Sequence, residues 1–394
     1  MEVNGGVWLP EDVIFAVLSW LPVKPLCRFR CVSTAWCAII SSPAFAAAQR
    51  SRTAPLLVGV FAAAPPPDDE PGKKRHCPPR LNVRKTPGDE LRVMDADGNV
   101  LRVLRGVMGG YDRLLTTRLD LVCVHKWSNG ASVIDPASCR VVTVGGYRRN
   151  PVSCRFGRAA ASGAYKVIRL YDELHCIGQI RFHFCEVATL GDGGDEETTE
   201  LTWRQRAKPP FRTCCCSSCT VAVNGVVYFL PFGACTRPSW NRRIARFDLE
   251  SEEWKETTIE APELRFLNLK PLERRNIALG ELKGALCMVE TVKSDLLVDM
   301  YTNVDIWVLV DSERSIWVKE YSIQSPESLF TVKPLEVLRD GRLLLLKTIE
   351  KAQGEPSILQ SYEPSTGTFT DQKQMSEEFR GVMTLYTGSI LPQL

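Results

Sequence analysis

The first fifty residues carry short apolar stripes that are interrupted by helix-breaking residues. The apolar positions of the first stripe recur at helical spacing, at Ile14, Val17, Leu18 and Leu21. Pro22 ends this segment, Pro25 starts a second one, and Ser33 can cap a third. The pattern predicts three short helices. Each would be marginal alone in water, so we expect them to pack on one another or on a partner.

From about residue 53 onward, short runs rich in valine, leucine, isoleucine and aromatic residues alternate with turn residues, which is typical of strands. Within them one pattern recurs: an apolar residue, an acid, a turn, and an apolar or aromatic residue six positions after the acid. The acids are Asp95, Asp135, Asp248, Asp311 and Glu363. The carboxylate can accept hydrogen bonds from backbone N–H groups of the turn. Each copy therefore predicts a β-hairpin, with pairs such as Met94–Leu101 and Val310–Trp317.

These hairpins recur at a spacing that fits the blades of a β-propeller. A degenerate sixth copy pairs the segment 187–190 with Trp203, and residues 53–394 accommodate six repeats of about 57 residues each. We predict an α+β multidomain protein, with a helical domain at 1–50 and an all-β, propeller-like domain of six blades at 53–394. The strand 382–386 should close the ring by pairing with the first blade. Residues 62–80 are rich in proline, glycine and charge, which predicts an exposed, disordered loop.

Charge and composition exclude several classes of protein. Lys+Arg 49 against Asp+Glu 46 gives a net charge of +3, and the basic run at 73–75 is too short to form a binding cluster. We therefore expect no nucleic-acid or membrane partner. The first residues lack the basic and apolar regions of a secretory signal. We expect the 15 cysteines to be reduced thiols in the cytoplasm or nucleus.

The sequence offers little catalytic or metal-binding chemistry. Cys216 and Cys219 have C-x-x-C spacing, which could bind zinc or cycle as a dithiol. No second C-x-x-C and no histidine pair completes a four-ligand set, so we interpret both as semi-buried thiols and predict neither metal nor cofactor. The phosphate-binding, zinc-protease and serine-hydrolase motifs are missing from the sequence, and the repeated acids are explained by turns. We predict a protein that is not an enzyme.

Residues 8–36 resemble the F-box motif. The shared features are the Leu9-Pro10 start, an apolar helix that ends in Leu21-Pro22, and then Leu26, Arg28-Phe29-Arg30, Val32 and Trp36. The segment 42–45 resembles the close of the motif, whereas Thr34 replaces its usual basic residue. The remainder is similar to the F-box-associated, kelch-like region of plant F-box proteins. The segments that carry this likeness are 165–170, 245–249, 305–309, 317–319 and 386–391.

The resemblance implies a substrate receptor of an SCF-type ubiquitin ligase. Its F-box would bind a Skp-family adaptor and, through it, a cullin and a RING subunit, and its propeller would bind a target protein. We expect the adaptor surface to include Leu9, Pro10, Ile14, Leu18, Leu21, Pro22 and Leu26. An alternative is an F-box protein outside a ligase, whose propeller binds a glycan or a protein. A hydrolase or lyase on a six-bladed propeller is a third, more distant reading.

The target cannot be named from the sequence, because recognition would lie on variable loops. The insertion 232–243 combines tryptophan and arginine, which are the types enriched at binding hot spots. A solvated loop is the plainer interpretation of it. Our hypothesis is a substrate surface that prefers an acidic or phosphorylated partner. Its residues would be Arg237, Trp240, Arg242 and Arg243.

Overall fold

The computed structural model describes most of the chain. The described residues are 9–21, 23–42, 44–45, 48, 55–63, 88–126, 130–145, 153–174, 181–191, 203–235, 242–264, 273–294, 301–325, 329–349 and 356–388. Apart from its first two residues, the loop predicted at 62–80 lies outside these ranges. Within them, no helix is both long and apolar enough to cross a membrane.

Helices form the N-terminal part, at α1 (Glu11–Leu18), α2 (Val23–Phe29) and α3 (Thr34–Ser41). The Ser33 hydroxyl accepts a hydrogen bond from the Trp36 N–H at 3.1 Å, as the predicted cap of α3 requires. Glu11 and Asp12 lie in the first turn of α1, where the helix dipole favours negative charge. These helices enclose a small core of Leu18, Leu26, Ile39, Ile40 and Phe45.

Strands dominate the rest of the described chain. In chain order they are β1 (Leu56–Ala62), β2 (Asp89–Met94), β3 (Val100–Leu104), β4 (Arg113–Leu114), β5 (Arg118–Leu119), β6 (Val122–Lys126), β7 (Gly130–Ile134), β8 (Val141–Val144), β9 (Ser153–Arg158), β10 (Tyr165–Leu174), β11 (Arg181–Thr189), β12 (Arg204–Arg206) and β13 (Thr220–Val223). They continue with β14 (Val226–Phe229), β15 (Arg243–Asp248), β16 (Glu253–Trp254), β17 (Ile259–Glu260), β18 (Glu273–Leu282), β19 (Ala285–Ser294), β20 (Thr302–Asp311), β21 (Ile316–Ser325), β22 (Leu329–Val337), β23 (Leu343–Ile349), β24 (Ser357–Glu363), β25 (Thr368–Gln374) and β26 (Phe379–Tyr386).

Within the described ranges the strands form six sheets, which are the blades of a six-bladed propeller. Four blades are built from consecutive strands, in the orders β9 to β12, β13 to β16 with β17, β18 to β21, and β22 to β25. A fifth has the order β4-β6-β7-β8 and omits β5, which belongs to the sixth. The sixth has the order β3-β2-β1-β26-β5. Apolar faces pack between neighbouring blades; for example, Val223 and Leu230 share a core cluster with Ile277 and Met288 of the next blade. A single blade could not bury its own faces, so the ring is the unit that folds.

The ring closes through its last strand, as predicted. β26 pairs antiparallel with β1, with Leu56 opposite Tyr386 and Leu57 opposite Leu385. On its other side β26 pairs in parallel with β5. The N-terminal and C-terminal strands of the propeller therefore share one blade, and this pairing leaves neither with a free edge on that side.

The predicted hairpins are confirmed at all five acids. Asp248 Oδ1, for instance, accepts hydrogen bonds from the backbone N–H groups of Glu250 and Ser251 at 2.8 and 3.1 Å. The other acids make the same kind of contact, at Asp95, Asp135, Asp311 and Glu363. The hairpins form the outer strand pairs of five blades.

Three predicted cross-strand pairs are confirmed and two shift by one residue. Ile134 pairs with Val141, Phe247 with Trp254, and Tyr362 with Phe369. Trp317 lies opposite Leu309 instead of Val310, because the register shifts between Leu309 and Asp311. Met94 lies opposite Val100 instead of Leu101, because of a similar irregularity after Val93. A bulge of this kind adds a residue to one strand, which spacing in the sequence does not reveal.

Candidate functional site

Helix α1 presents two apolar faces. One face packs into the helical core through Leu18, with Ile14 and Phe15 partly buried against it. The other is exposed at Val13 and Val17, and Leu9 and Trp20 are exposed just before and just after the helix. The relative exposures of Leu9, Val13, Val17 and Trp20 are 55%, 39%, 56% and 66%. We call these four residues the α1 stripe. Val13 and Val17 lie one turn apart on the same side of α1, and Leu9 and Trp20 flank the two ends of the helix, so one partner could cover all four.

The residues expected at the adaptor surface divide between surface and core. Leu9 and Pro10 are exposed, whereas Ile14 and Leu21 are half-buried. Leu18 and Leu26 are buried in the helical core, so their side chains support the helices instead of presenting surface. Pro22 lies outside the described residues. The sequence analysis included Val17 in the first apolar stripe but selected none of Val13, Val17 and Trp20 for the adaptor surface, although the spacing of Val13 and Val17, one helical turn apart, was available as a signal.

Two cavities lie along the propeller axis. One has a volume of about 600 Å³ and is lined by the ends of inner strands, including Arg118, Gly157, Ala222 and Glu281. The other has a volume of about 230 Å³ and is lined by β18, β22 and β26, including Lys333 and Met383. Both are bounded by the innermost strands, so they lie in the central channel that a propeller ring encloses.

Charged groups in this channel have shifted pKa values. Burial raises the pKa of Glu281 to about 7; the guanidinium of Arg118 opposes the shift and the carboxylate of Glu336 adds to it. Burial also raises the pKa of Glu336, which forms an ion pair with Arg118. Burial lowers the pKa of Lys333 to about 8, and its ammonium group donates a hydrogen bond to the Met383 carbonyl at 2.6 Å. Arg118 therefore faces two acids at one site, and Lys333 places a second cation elsewhere in the channel.

The residues expected to bind substrate are only partly described. Arg237 and Trp240 lie outside the described residues. Arg243 is exposed at the start of β15, where the side chain can reach a partner. Arg242 is half-buried, and its guanidinium donates a hydrogen bond to the Ala261 carbonyl at 2.8 Å. That contact ties Arg242 to its own blade, so Arg243 is the more accessible of the two.

A cluster of cysteines lies at the edge of the blade that contains β13. Cys214, Cys216, Cys219 and Cys235 place their Sγ atoms within 4.8 Å of one another. The sequence offered neither a second C-x-x-C nor a histidine pair to complete a four-ligand set; the fold instead brings Cys214 and Cys235 to the C-x-x-C pair. Hydrogen bonding from the Cys219 thiol lowers the pKa of Cys214 to about 5, whereas the contact with Cys214 raises the pKa of Cys219.

Comparisons with known proteins match both parts of the chain. The F-box domain family matches residues 8–46, and the F-box associated beta propeller domain family matches residues 114–370. F-box protein At3g07870 of Arabidopsis thaliana is 25% identical over 94% of this chain and 88% of its own length. F-box/kelch-repeat protein At4g19930 of the same plant is 22% identical over 83% and 72%.

Among solved structures, oligogalacturonate lyase in complex with manganese is similar at 13% sequence identity and a TM-score of 0.41, over 75% of this chain and 74% of that chain. The two family matches carry the assignment, because together they span the α1 stripe and most of the propeller. The chain belongs to the plant F-box proteins whose C-terminal part is an F-box associated β-propeller.

Proposed function

We propose that this protein is the substrate-recognition subunit of an SCF-type ubiquitin ligase. Its helices would bind a Skp-family adaptor, and its propeller would bind the target protein. The α1 stripe carries the proposal, because it is an exposed apolar surface on a small helical unit and lies within the residues that match the F-box family. Apolar side chains gathered on one exposed face mark a protein interface more often than they mark free surface.

In this role the chain is not an enzyme. The adaptor would recruit a cullin, and the RING subunit on the cullin would bring the ubiquitin-conjugating enzyme. The chain would contribute proximity, which converts a bimolecular transfer into an effectively intramolecular one. We place such an assembly in the cytoplasm or the nucleus.

The adaptor interface can be tested by changing the α1 stripe in the full-length chain. The test variant combines Val17→Asp with Trp20→Ala, and a second one combines Leu9→Ala with Pro10→Ala. Losing an anchoring apolar side chain costs about 2–5 kcal/mol, and each 1.4 kcal/mol is about tenfold in affinity. We expect each variant to bind a purified Skp-family adaptor roughly ten to a thousand times more weakly, as measured by calorimetry.

A matched control separates the interface from general surface chemistry. Val100 is an exposed apolar residue on β3 of the propeller, so Val100→Ala should leave the affinity unchanged. Circular dichroism should show the same helical signal in all variants, because the changed residues lie outside the helical core. Full adaptor affinity in both stripe variants would show that this surface is not the interface.

The alternative, an F-box protein that acts outside a ligase, can be distinguished by the proteins that co-purify with the chain. A ligase subunit should bring down both the adaptor and a cullin from plant extract, and loss of the stripe should remove both together. Adaptor without cullin would instead favour an F-box protein that acts outside a ligase and binds a glycan or protein through its propeller.

Target recognition is proposed at Arg237, Trp240, Arg242 and Arg243. The test variant combines Trp240→Ala with Arg243→Ala and leaves Arg242 in place, because Arg242 holds the Ala261 carbonyl. Arg314→Ala is the control, since Arg314 is an exposed arginine on the β20–β21 turn. With the proteasome inhibited, we expect the double variant to lose a specific co-purifying protein while it keeps the adaptor. If the double variant, the control and the unchanged protein all co-purified the same set of proteins, the assignment of this target surface would be contradicted.

A further inference from the structure

Four cysteine thiols meet where two segments of one blade come together. Cys214, Cys216 and Cys219 precede β13, and Cys235 follows β14. The Sγ atom of Cys235 lies 3.7 Å from that of Cys214 and 3.6 Å from that of Cys216. All four Sγ atoms lie within 4.8 Å of one another. Cys235 lies in the insertion 232–243, but none of the four cysteines is among the residues proposed to bind the adaptor or the target.

The spacing of the sulfur atoms fits one tetrahedral zinc ion. A Zn–S bond is about 2.3 Å, so the sulfur atoms of a tetrahedral four-cysteine site lie about 3.8 Å apart. The distances from the Cys235 sulfur to those of Cys214 and Cys216, 3.7 and 3.6 Å, are close to this value. A disulfide needs sulfur atoms at about 2.05 Å. A two-iron cluster would separate its two cysteine pairs by the additional width of the Fe–Fe unit, which four mutually adjacent sulfur atoms do not allow.

Backbone hydrogen bonds hold three of the four cysteines in place. The Cys214 N–H donates to the Leu230 carbonyl, and the Leu230 N–H donates to the Cys219 carbonyl, each at 2.9 Å. The Cys219 N–H donates to the Cys216 carbonyl at 3.1 Å and so forms the tight turn of the C-x-x-C pair. The ligand positions are therefore set by the strand pairing of the blade, which lowers the entropic cost of assembling the site.

A half-buried cation lies beside the cluster. The Arg155 side chain, which belongs to β9 of the neighbouring blade, donates a hydrogen bond from Nη2 to the Cys216 carbonyl at 3.1 Å. A zinc ion with four thiolates carries a net charge of −2, so a nearby guanidinium partly neutralises it. Outer partners of this kind are a regular feature of metal sites.

We propose that Cys214, Cys216, Cys219 and Cys235 bind one Zn²⁺ ion as a structural site. Four protein ligands leave no open position for water or substrate, so the ion would act in folding and not in catalysis. It would tie the segment that enters β13 to the segment that leaves β14. Because Arg155 reaches across from β9, the ion would also stabilise the contact between two blades.

The first test measures metal in the full-length chain, purified under reducing conditions in complex with its adaptor. We expect about one zinc per chain in the unchanged protein. Cys235→Ser and Cys219→Ser should each remove most of it. Cys215→Ser is the matched control, because Cys215 is adjacent, exposed and outside the cluster, and it should keep the full zinc content.

A second measurement uses the unchanged chain, so it holds even where a cysteine variant fails to fold. N-ethylmaleimide labelling followed by peptide mass spectrometry should modify the exposed Cys139 and Cys215 with or without a zinc chelator. Cys216 and Cys235 should be modified only after chelation, and chelation should lower the melting temperature. Iron in place of zinc, no bound metal, a disulfide within the cluster, or equal labelling before and after chelation would each overturn the proposal.

Discussion

The ammonium group of Lys166 lies 3.0 Å from Oε1 of Glu252, and this ion pair joins two blades of the propeller. Lys166 belongs to β10, whereas Glu252 occupies the turn between β15 and β16. Both residues are buried, and Arg204 and Arg206 also contact the same carboxylate. One carboxylate therefore contacts three cations that come from a neighbouring blade.

We expect this contact to make the propeller sensitive to acid. Burial alone would raise the pKa of Glu252, but hydrogen bonds from Arg204, Arg206 and Lys166 lower it from an ordinary 4.5 to about 2. A lowered folded pKa means that the unfolded state binds the proton first as the pH falls. The stabilisation is therefore complete above about pH 4.5 and is lost progressively as the pH falls towards 2.

Glu252→Gln should remove this stabilisation and leave three cations without their acid. Removing one partner of a buried ion pair typically costs about 3–5 kcal/mol of unfolding free energy, so we expect a loss near the lower figure at pH 7. Chemical denaturation at pH 7 and at pH 3 would measure it, and the difference between variant and unchanged protein should shrink at pH 3. Glu253→Gln is the control, because it makes the same charge change at the adjacent, exposed residue. Equal effects of the two substitutions would contradict the role of Glu252.

The repeat that predicted the fold is local, which explains why it could be read from the sequence. The acid of each hairpin bonds to N–H groups only two to four residues away, as Asp311 does with Glu313 and Arg314. Such contacts depend on neighbouring residues and recur wherever the turn recurs. The closure of the ring followed from a general requirement that exposed strand edges be paired.

The cysteine cluster and the Glu252 network could not be predicted in the same way. Cys235 lies 16 residues after Cys219 and 21 after Cys214, and only the pairing of β13 with β14 brings these segments together. Likewise, Lys166 lies in one blade and Glu252 lies in the next blade along the chain. Contacts between distant segments depend on register and on inter-blade packing, which the local pattern of apolar and polar residues does not fix.

The last strand should hold the whole propeller together. Deleting residues 380–394 removes Met383, Leu385 and Tyr386, which are buried, together with the pairing of β26 to β1. Each large buried side chain contributes about 2–5 kcal/mol, so the combined loss is on the order of the whole stability of a domain, about 5–15 kcal/mol. We expect the deleted protein to lose cooperative unfolding in calorimetry.

A shorter deletion serves as the control for ring closure. Residues 389–394 lie beyond β26, so removing them should leave the melting transition in place. If the longer deletion melted at the same temperature as the unchanged protein, ring closure would be contradicted. The loss of β26 would then affect only one end of the domain and not the propeller as a whole.

The β24–β25 hairpin requires a residue that tolerates a left-handed backbone. Gly367 has a φ of 71°, and a Cβ atom added there would meet nothing within 4 Å. Gly367→Ala should therefore cost about 1–2 kcal/mol through backbone strain alone. Gly145→Ala is the control, because it also has open space but no positive φ, and it should be neutral or slightly stabilising. Thermal unfolding of both variants would test this, and equal stabilities would contradict the explanation.

The buried carboxyl group of Glu281 in the central channel should make the propeller less stable as the pH rises through neutrality. The pKa of Glu281 is about 7 in the folded protein and about 4.5 when unfolded, so the folded state binds the proton more tightly. By linkage, its contribution is most favourable below pH 4.5, weakens between 4.5 and 7, and is fully unfavourable above 7. Glu281→Gln should remove this penalty and stabilise the protein by about 1–3 kcal/mol at pH 8, with little effect at pH 4.

Denaturant titrations of this variant and of Glu256→Gln would measure the difference. Glu256 is the control, because it is an exposed acid in the neighbouring blade. If both substitutions had the same effect at pH 8, the buried position of Glu281 would not be the cause.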